Sequence, residues 1–311
     1  MPIPLIKRIN IWCKGGQLTM SSADWMAWIG RTELVEDDIC LTQALAAAAT
    51  LEPPSGPPTV GSPLPPLWHW FYFLPRAPQS QLSSDGHPQR GGFIPPIPYP
   101  RRMFAGARIC FHHPLLVGQP ARREGVIRNI TQKSGRSGPL AFVTVGYQIY
   151  QHDTLCIEEE QDIVYREPGP PVPAPTPIEL PPVTDAISRM VVPDTRLLFR
   201  FSALTFNAHR IHYDRPYAQQ EEGYPGLVVH GPLVAVLLME LTRHHTSRPI
   251  TGFSFRSQAP LFDLAPFRLL ARIGAERAEL EAQGPDGNIA LSATAELGAA
   301  QTVTASTAQS R

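Results

Sequence analysis

Residues 167–183, which read EPGPPVPAPTPIELPPV, constrain the fold of this chain more than any other feature. Proline fixes φ and lacks a backbone N–H, so neither a helix nor a central strand can persist in such a segment. A semi-extended polyproline II linker is the expected structure. Because the linker divides 311 residues into two parts of ordinary domain size, we predict a first domain over residues 21–166 and a second over residues 184–298.

Both ends of the chain are predicted to lie outside these domains. Lys14-Gly15-Gly16 is what a purine-rich ribosome-binding sequence gives when translated, and Met20 follows at a suitable distance. We therefore interpret residues 1–20 as a non-native or disordered extension, with Met20 as the biological start. Residues 299–311 are interpreted as a disordered tail.

The bulk composition favours a small-molecule partner. The chain has 27 Lys and Arg against 27 Asp and Glu, and its basic runs are short, which argues against nucleic acid and a membrane surface as partners. No apolar run approaches the roughly 18 residues that a membrane span requires, and the N-terminus lacks a secretory signal pattern. The cysteines are widely scattered, so we expect free, mostly buried thiols and a cytoplasmic location; they are Cys13, Cys40, Cys110 and Cys156.

The first domain is predicted to contain two helices followed by an antiparallel sheet. The helices cover residues 24–29 and 41–51, and the apolar run Leu67–Leu74 suits either a buried strand or two turns of a central helix. Residues 75–102 are rich in Pro, Gly and Arg and indicate a long loop of the kind that is often functional. Strands enriched in Val, Ile, Thr and Tyr are predicted at residues 108–112, 122–133, 141–151 and 154–166.

The second domain is predicted to repeat a similar order of elements. It begins with a strand over residues 194–202, continues with a loop that carries histidines, and has a helix that begins near His230. Further strands are predicted at residues 251–258, 267–273, 276–282 and 289–296. One helix wrapped by an antiparallel sheet is thus expected twice, which is an α+β organisation.

Two segments of the second domain carry a recognisable motif. They read TFNAHRIHYD over residues 205–214 and GLVVHGP over residues 226–232. The pair resembles the signature of the MaoC-like, or (R)-specific enoyl-CoA hydratase, superfamily. In that signature a catalytic Asp precedes a catalytic His by five residues, and an apolar-apolar-His-Gly sequence opens the central helix. On this pattern Asn207 takes the position of the catalytic Asp, and His212 that of the catalytic His.

Further segments resemble one branch of that superfamily, the double hot-dog, fungal-synthase-like dehydratases. The segments are PLPPLWHWFYFLP, GHPQRGGFIPPIPYPRRMFAG, GRSGPLAFVTV and QDIVYRE, so the resemblance covers nearly everything from Ser22 to Leu297. This branch includes hydratases for itaconyl-CoA and mesaconyl-C4-CoA and is related to hydroxyacyl-thioester dehydratase type 2. The resemblance implies an α+β double hot-dog fold, in which two antiparallel sheets each wrap a central helix. The first domain has no Asn or Asp with a His five residues later, so it is expected to be non-catalytic.

The chemistry of hydration explains why these residue types are needed. Water must lose a proton as it attacks C3 of the enoyl thioester, C2 must gain one, and negative charge builds on the thioester oxygen. His212 can transfer protons near neutral pH, and the backbone N–H of Gly231, at a helix start, can stabilise the enolate oxygen. Asn207 departs from the pattern, because an amide can orient a water but cannot take its proton. We therefore assign His212 as the principal acid–base residue.

Other polar residues are weaker candidates. Arg256 could pair with a CoA phosphate or a substrate carboxylate, although an outward-facing strand arginine is equally ordinary; Arg90, Arg101 and Arg102 are lesser candidates for the same task. His209 and His230 are assigned to substrate binding, with a structural role at the helix start as the alternative for His230. Together with His212 they could hold zinc, but no Cys or carboxylate cluster completes a site apart from Asp214, so we expect no metal and no cofactor.

The sequence therefore predicts a hydro-lyase that reversibly hydrates an enoyl-CoA to a 3-hydroxyacyl-CoA. A short branched dicarboxylic acyl-CoA, such as itaconyl-CoA or mesaconyl-C4-CoA, is the substrate that the resemblance favours. One alternative is a 3-hydroxyacyl-thioester dehydratase of fatty-acid metabolism, which a tunnel large enough for long acyl chains would indicate. A hot-dog thioesterase and a non-catalytic acyl-CoA-binding protein are the others. A homodimer is the oligomer considered.

Overall fold

The computed structural model describes residues 25–299 except residue 54 and residues 136–137. The predicted extension over residues 1–20 lies outside the described residues, as does the predicted tail apart from residue 299. Within the described part of the chain, no helix is long and apolar enough to cross a bilayer.

In the described part of the first half, five strands and one helix have defined bounds. In chain order these are β1 (Thr32–Asp38), α1 (Leu41–Leu51), β2 (Arg101–Phe111), β3 (Pro120–Gly135), β4 (Gly138–Gln151) and β5 (Thr154–Arg166). Short 3-10 turns occur at Trp68–Phe71 and Gln79–Gln81. The four predicted strands are confirmed, and β5 agrees at both ends with the prediction. The run Leu67–Leu74 forms neither a strand nor two helical turns, because Leu67 and Phe73 have φ values of 69° and 54° on either side of the 3-10 turn.

Up to residue 299, where the described part of the chain ends, the second half forms five more strands and three helices. They are β6 (Ile187–Val191), α2 (Thr195–Leu204), α3 (Arg215–Gln220), α4 (Gly231–His245), β7 (Ile250–Ser257), β8 (Phe267–Ile273), β9 (Arg277–Gln283) and β10 (Ile289–Leu297). A 3-10 turn covers Arg210–His212. The predicted helix near His230 and the four following strands are confirmed.

The predicted strand over residues 194–202 is wrong, because this segment is helix α2. The Asp194 side chain accepts a hydrogen bond from the backbone N–H of Leu197 at 2.9 Å, which caps the helix at its start. Leu198, Phe201 and Ser202 follow at helical spacing and are all buried. The helix cap and the helical spacing of the buried residues therefore determine the structure of this segment, although its large apolar residues also alternate as in a strand.

The two halves share one antiparallel sheet of ten strands, in the order β1-β3-β4-β5-β2-β7-β10-β9-β8-β6. They join where β2 pairs with β7, in a register that sets Ala107 opposite Phe255. The proline-rich residues 167–183 contain no helix or strand. Since the sheet continues from one half to the other, the division into two domains at this linker stays a prediction.

The core surrounds helix α4, whose residues 233–242 are all buried. This helix contacts β8, β9 and β10 of its own half, and a buried hydrogen bond ties it to the first half, because the indole N–H of Trp68 donates to Glu240 Oε1 at 2.8 Å. The buried stretch is apolar apart from Glu240 and Thr242, and a helix that is hydrophobic on all sides needs burial on every side. The prediction of mostly buried thiols is wrong for the described cysteines, since Cys40 and Cys110 are exposed and Cys156 alone is buried.

Candidate active site

A cavity of about 1480 Å³ runs between the two halves and is lined by residues of both. Its wall includes the three predicted catalytic residues, Asn207, His212 and Gly231, and also His209 and His230. Asn207, His209 and His212 lie in the segment that follows α2, and His230 and Gly231 lie at the start of α4. The fold therefore brings the motif residues to one place.

Asn207 is held by the turn that ends helix α2. Phe206 adopts a left-handed conformation with φ 48°, which lets the Asn207 N–H donate to the carbonyl oxygen of Ser202 at 2.8 Å. The Asn207 side-chain oxygen accepts the N–H of His209 at 3.0 Å. This Asx turn fixes the amide and uses one of the two lone pairs of its oxygen, so the second lone pair and the amide N–H groups remain for a ligand.

His212 is buried, and one of its nitrogens is committed. Its Nδ1–H donates to the carbonyl oxygen of Val228 at 2.7 Å, and a carbonyl can only accept, so Nε2 carries the lone pair of the neutral ring. Val228 is itself fixed, because its N–H donates to Ile211 O at 3.0 Å. Burial lowers the pKa of His212 to about 4. His212 is thus a neutral imidazole at physiological pH, ready to accept a proton.

Gly231 begins helix α4, with Pro232 directly after it. The first N–H groups of a helix have no partner within the helix, and they carry the positive end of its dipole. A Cβ at position 231 would meet Ser257 Oγ at 3.4 Å and Phe104 O at 3.9 Å, which are ordinary contacts. The N–H of Gly231 can therefore face a bound oxyanion without a side chain between them.

His209 and His230 complete a cluster of neutral rings around His212. His230 stacks on His212, with ring centroids 3.6 Å apart, and its Nε2 lies 2.8 Å from Ser202 Oγ. His209 meets His212 edge to face at 5.4 Å. Burial lowers the pKa of His209 and of His230 well below the ordinary histidine value. The cluster is uncharged at neutral pH.

The first half of the chain adds to this site a residue pair that the motifs of the sequence did not indicate. Asp85 and His87 lie in the long loop before β2, and the His87 ring lies 4.1 Å from that of His209. Both Asp85 oxygens accept hydrogen bonds from His87, one from its backbone N–H at 2.9 Å and one from Nδ1–H at 3.0 Å. One carboxylate oxygen of Asp85 and one ring nitrogen each of His87 and His209 all lie within 4.8 Å of one another. The only sign of this pair in the sequence is the tripeptide Asp-Gly-His within a Gly-rich loop.

The arginines of the cavity wall differ in what they contact. Arg90 donates to the carbonyl oxygens of Ile97, Tyr99 and Pro100. Arg101 is paired with Glu222 and donates to Glu221 O at 3.0 Å. The side chain of Arg102, by contrast, lines the cavity and has no hydrogen-bond or ion-pair partner among the described residues. Its charge contributes to the lowered pKa of both His87 and His209, and all three residues line the same cavity.

Arg256 lies elsewhere. It is exposed on β7 and is not among the described residues that line the cavity. Its neighbours Phe253 and Phe255 are buried on the core side of the same strand, as expected when successive side chains alternate between the two faces of a sheet. The assignment of Arg256 to substrate binding stays a prediction that the cavity does not support.

Solved structures share this fold. A MaoC-like dehydratase matches with a TM-score of 0.66 and 13% identity, covering 89% of this chain and 100% of that chain. A Mycobacterium tuberculosis protein described as having a double hot-dog fold matches with a TM-score of 0.55 and 13% identity, covering 87% and 96%. The predicted α+β double hot-dog fold is confirmed, and the chain has the architecture of the MaoC-like class.

Sequence comparison narrows this class to a family. The profile of the hydroxyacyl-thioester dehydratase type 2 family matches residues 67–263. The chain is also 90% identical over 279 residues to the mesaconyl-C(4)-CoA hydratase of Chloroflexus aurantiacus, covering 90% of this chain and 100% of that protein. This protein belongs to the hydroxyacyl-thioester dehydratase type 2 family, as the resemblance implied.

Proposed function

We propose that this protein catalyses the reversible hydration of an enoyl-CoA to a 3-hydroxyacyl-CoA and that its substrate is mesaconyl-C4-CoA or a closely similar dicarboxylic acyl-CoA. The observation that carries the reaction is the convergence of Asn207, the free Nε2 of His212 and the helix start at Gly231 on one cavity. The named activity of the 90% identical relative supports the same reaction and substrate.

In the proposed reaction the thioester oxygen lies against the N–H of Gly231. Negative charge develops on this oxygen as water attacks C3, and a preorganised N–H at a helix start stabilises it without reorganisation. One donor of this kind contributes about 3 to 4 kcal/mol to transition-state stabilisation. The apolar rings of Trp70 and Phe104, which pack edge to face and line the cavity, would exclude bulk water from the enolate.

His212 is the principal acid–base residue of this proposal. Its Nδ1–H is fixed on Val228 O at 2.7 Å, so the ring presents Nε2 to the proton of the attacking water in one tautomer. Asn207 orients that water through its amide, which is itself held by the His209 N–H at 3.0 Å. Asn207 can thus contribute to catalysis by positioning the attacking water, without taking up a proton itself.

Arg102 supports a substrate with a second carboxylate. In mesaconyl-C4-CoA the carbon attacked by water carries a methyl group and the free carboxylate, so this anion must lie beside the acid–base residues. Arg102 is the cavity cation that lowers the pKa of His87 and His209 and has no partner among the described residues. A guanidinium pairs with a carboxylate through two parallel N–H donors.

The experiment is a substrate comparison on Arg102→Gln and the wild type. Hydration is followed by the loss of enoyl-thioester absorbance with mesaconyl-C4-CoA, itaconyl-CoA and crotonyl-CoA. We expect the substitution to lower kcat/KM for mesaconyl-C4-CoA by roughly 100-fold, the range of a lost charge-assisted pair, and to leave crotonyl-CoA within about threefold. An equal loss for both substrates would contradict the assignment of Arg102, and release of free CoA would indicate a thioesterase.

The size of the cavity favours a second candidate, a 3-hydroxyacyl-thioester dehydratase of fatty-acid metabolism. At about 1480 Å³ the cavity exceeds the usual range of small-molecule pockets and could hold a long acyl chain. A kcat/KM that rises steadily from crotonyl-CoA to medium-chain enoyl-CoA and surpasses that for mesaconyl-C4-CoA would favour this candidate. Homodimer formation and a cytoplasmic location stay predictions.

A further inference from the structure

The loop that carries Asp85 and His87 is fixed against the active site of the other half. The backbone N–H of Arg210 donates to Asp85 O at 2.9 Å, and its guanidinium donates to Ser84 O at 3.0 Å. Gly86 has φ 92°, and a Cβ there would lie 1.7 Å from the carbonyl oxygen of Ala208. The two backbones therefore touch at this point, and glycine is required for both its conformation and its lack of a side chain.

The pair itself has the arrangement of a polarised imidazole. Burial raises the pKa of Asp85, but the hydrogen bonds and charge of His87 outweigh this effect and the net pKa is lowered. Asp85 is thus a carboxylate at neutral pH, and both of its oxygens are used to hold His87. With Nδ1–H on the carboxylate, Nε2 of His87 is left without a hydrogen bond among the described residues, in a ring that lines the cavity. A carboxylate in this position stabilises an imidazolium.

We propose that His87, oriented by Asp85, is a second acid–base catalytic residue and does the proton transfer that Asn207 cannot do. The proposal rests on the hydratase function proposed above. In this arrangement the carboxylate of the site comes from the first half of the chain. Asp85 accepts the hydrogen bond of His87 Nδ1–H, while position 207 has an amide. Asp85 is a positioning residue, because it acts through His87.

In the proposed hydration step His212 accepts a proton from water and His87 gives one to C2. One O–H bond of water breaks as its oxygen bonds to C3, and this proton goes to Nε2 of His212. The C2=C3 electron pair moves to the enolate, whose C2 then takes a proton from Nε2 of the His87 imidazolium. The substrate gains one OH and one H. After the product leaves, His212 releases its proton to solvent and His87 takes one up, so that the site is restored, and dehydration runs in reverse.

Several charged and titratable groups face His87. Asp85 and Arg90 lie on its own loop, Arg102 comes from β2, and His209 packs against its ring. Burial lowers the pKa of His87 most, Asp85 raises it and the two arginines lower it, so its net pKa lies below the ordinary histidine value before substrate binds. A substrate carboxylate on Arg102 would offset one of these opposing charges and so favour the protonated ring once substrate is bound.

The first test is His87→Asn in the full chain. The Asn amide can still donate to Asp85 but has no group at the place of Nε2, so orientation of the loop is retained while proton transfer is removed. We expect kcat for mesaconyl-C4-CoA to fall at least about 100-fold, with KM within about threefold and an unchanged melting temperature. His112→Asn is the matched control, since His112 is an exposed histidine paired with Glu158 at 2.8 Å outside the cavity.

The second test is the pH profile of Asp85→Asn. Because Asp85 raises the pKa of His87, its loss should move the high-pH limb of kcat to lower pH. Suppose that the wild type is active. If His87→Asn then keeps the wild-type kcat, or if Asp85→Asn leaves the high-pH limb of the kcat profile where it is in the wild type, the proposal for His87 is overturned while the proposed function stands. If His87→Asn does not fold, the position of the high-pH limb in Asp85→Asn decides whether the proposal holds. A wild type that hydrates no enoyl-CoA would overturn the proposal together with the proposed function.

Discussion

The neutral histidine cluster predicts a steep loss of stability on acidification. His212 has a folded-state pKa of about 4 against an ordinary value of 6.5, so its folded-state pKa is depressed. For a histidine this means that both states are neutral above the unfolded pKa, and that the unfolded state takes up a proton first as pH falls. The free energy of unfolding therefore decreases from about pH 6.5 down to about pH 4.

The magnitude follows from the size of the shift. Between pH 7 and pH 5 the differential protonation of His212 alone lowers the free energy of unfolding by about 2 kcal/mol. Burial lowers the pKa of His209 and His230 in the same direction. Since domain stabilities are typically about 5 to 15 kcal/mol, a cluster of this kind can account for a large part of the stability lost at pH 5. Carboxylates contribute less in this window, because their ordinary pKa values are near about 4.

The assay is urea unfolding, followed by tryptophan fluorescence, of the wild type and of His212→Asn across about pH 7 to pH 5. The Asn amide can replace the donor to Val228 O but cannot titrate, so the variant should lose about 2 kcal/mol less than the wild type over this range. Equal losses in the two proteins would refute the assignment of a depressed pKa to His212. A larger loss in the variant would refute the sign.

Three further outcomes are expected. His212→Asn should lower kcat at least about 100-fold, because it removes Nε2 while retaining the hydrogen bond to Val228, and a loss under about tenfold in steady-state assays would contradict the proposed acid–base role. Gly231→Ala should lower kcat/KM by roughly 100-fold, because Gly231 lines the cavity and an added methyl group would lie beside the proposed oxyanion site. The melting temperature should change little, since this methyl group meets no atom of the protein closer than 3.4 Å. Unaffected turnover would contradict the oxyanion role. Asp263→Ala should destabilise the fold by about 2 kcal/mol in urea unfolding, because Leu227 N–H and Arg215 both lose a buried acceptor, whereas Asp263→Asn should retain most of that stability.

The strands that the sequence predicted contain more buried residues than the two strands that it missed. β5 and β8 are rich in apolar residues, and their ends agree with the prediction. β1 and β6 were not predicted, and they are the two edges of the ten-stranded sheet. β1 reads TELVEDD and alternates between exposed and half-buried positions; edge strands of this kind carry charges that discourage pairing with other chains, and the same charges hide the strand signal.

The active site was predictable only where it follows a contiguous motif. Asn207, His212 and Gly231 lie within one short stretch of chain, so a pattern of spacings could identify them. His87 reaches the site through a contact between Gly86 and Ala208, over 100 positions apart in the sequence, and no local periodicity encodes such a contact. Arg102 could be separated from Arg90 and Arg101 only by their partners, because all three have the same character in the sequence.

The position of the carboxylate explains how an amide can occupy position 207. A carboxylate there would lie on the same turn as His209 and would favour protonated rings in the cluster. With Asn207 the turn keeps its hydrogen bond to the His209 N–H at 3.0 Å but loses the charge, and the negative group beside the cluster is Asp85 of the first half. Asn207→Asp should accordingly raise the pKa of His212 and restore part of the kcat lost in His87→Asn, because a carboxylate at 207 can exchange a proton itself. A double variant no more active than His87→Asn would mean that the two positions do not share one proton-transfer role.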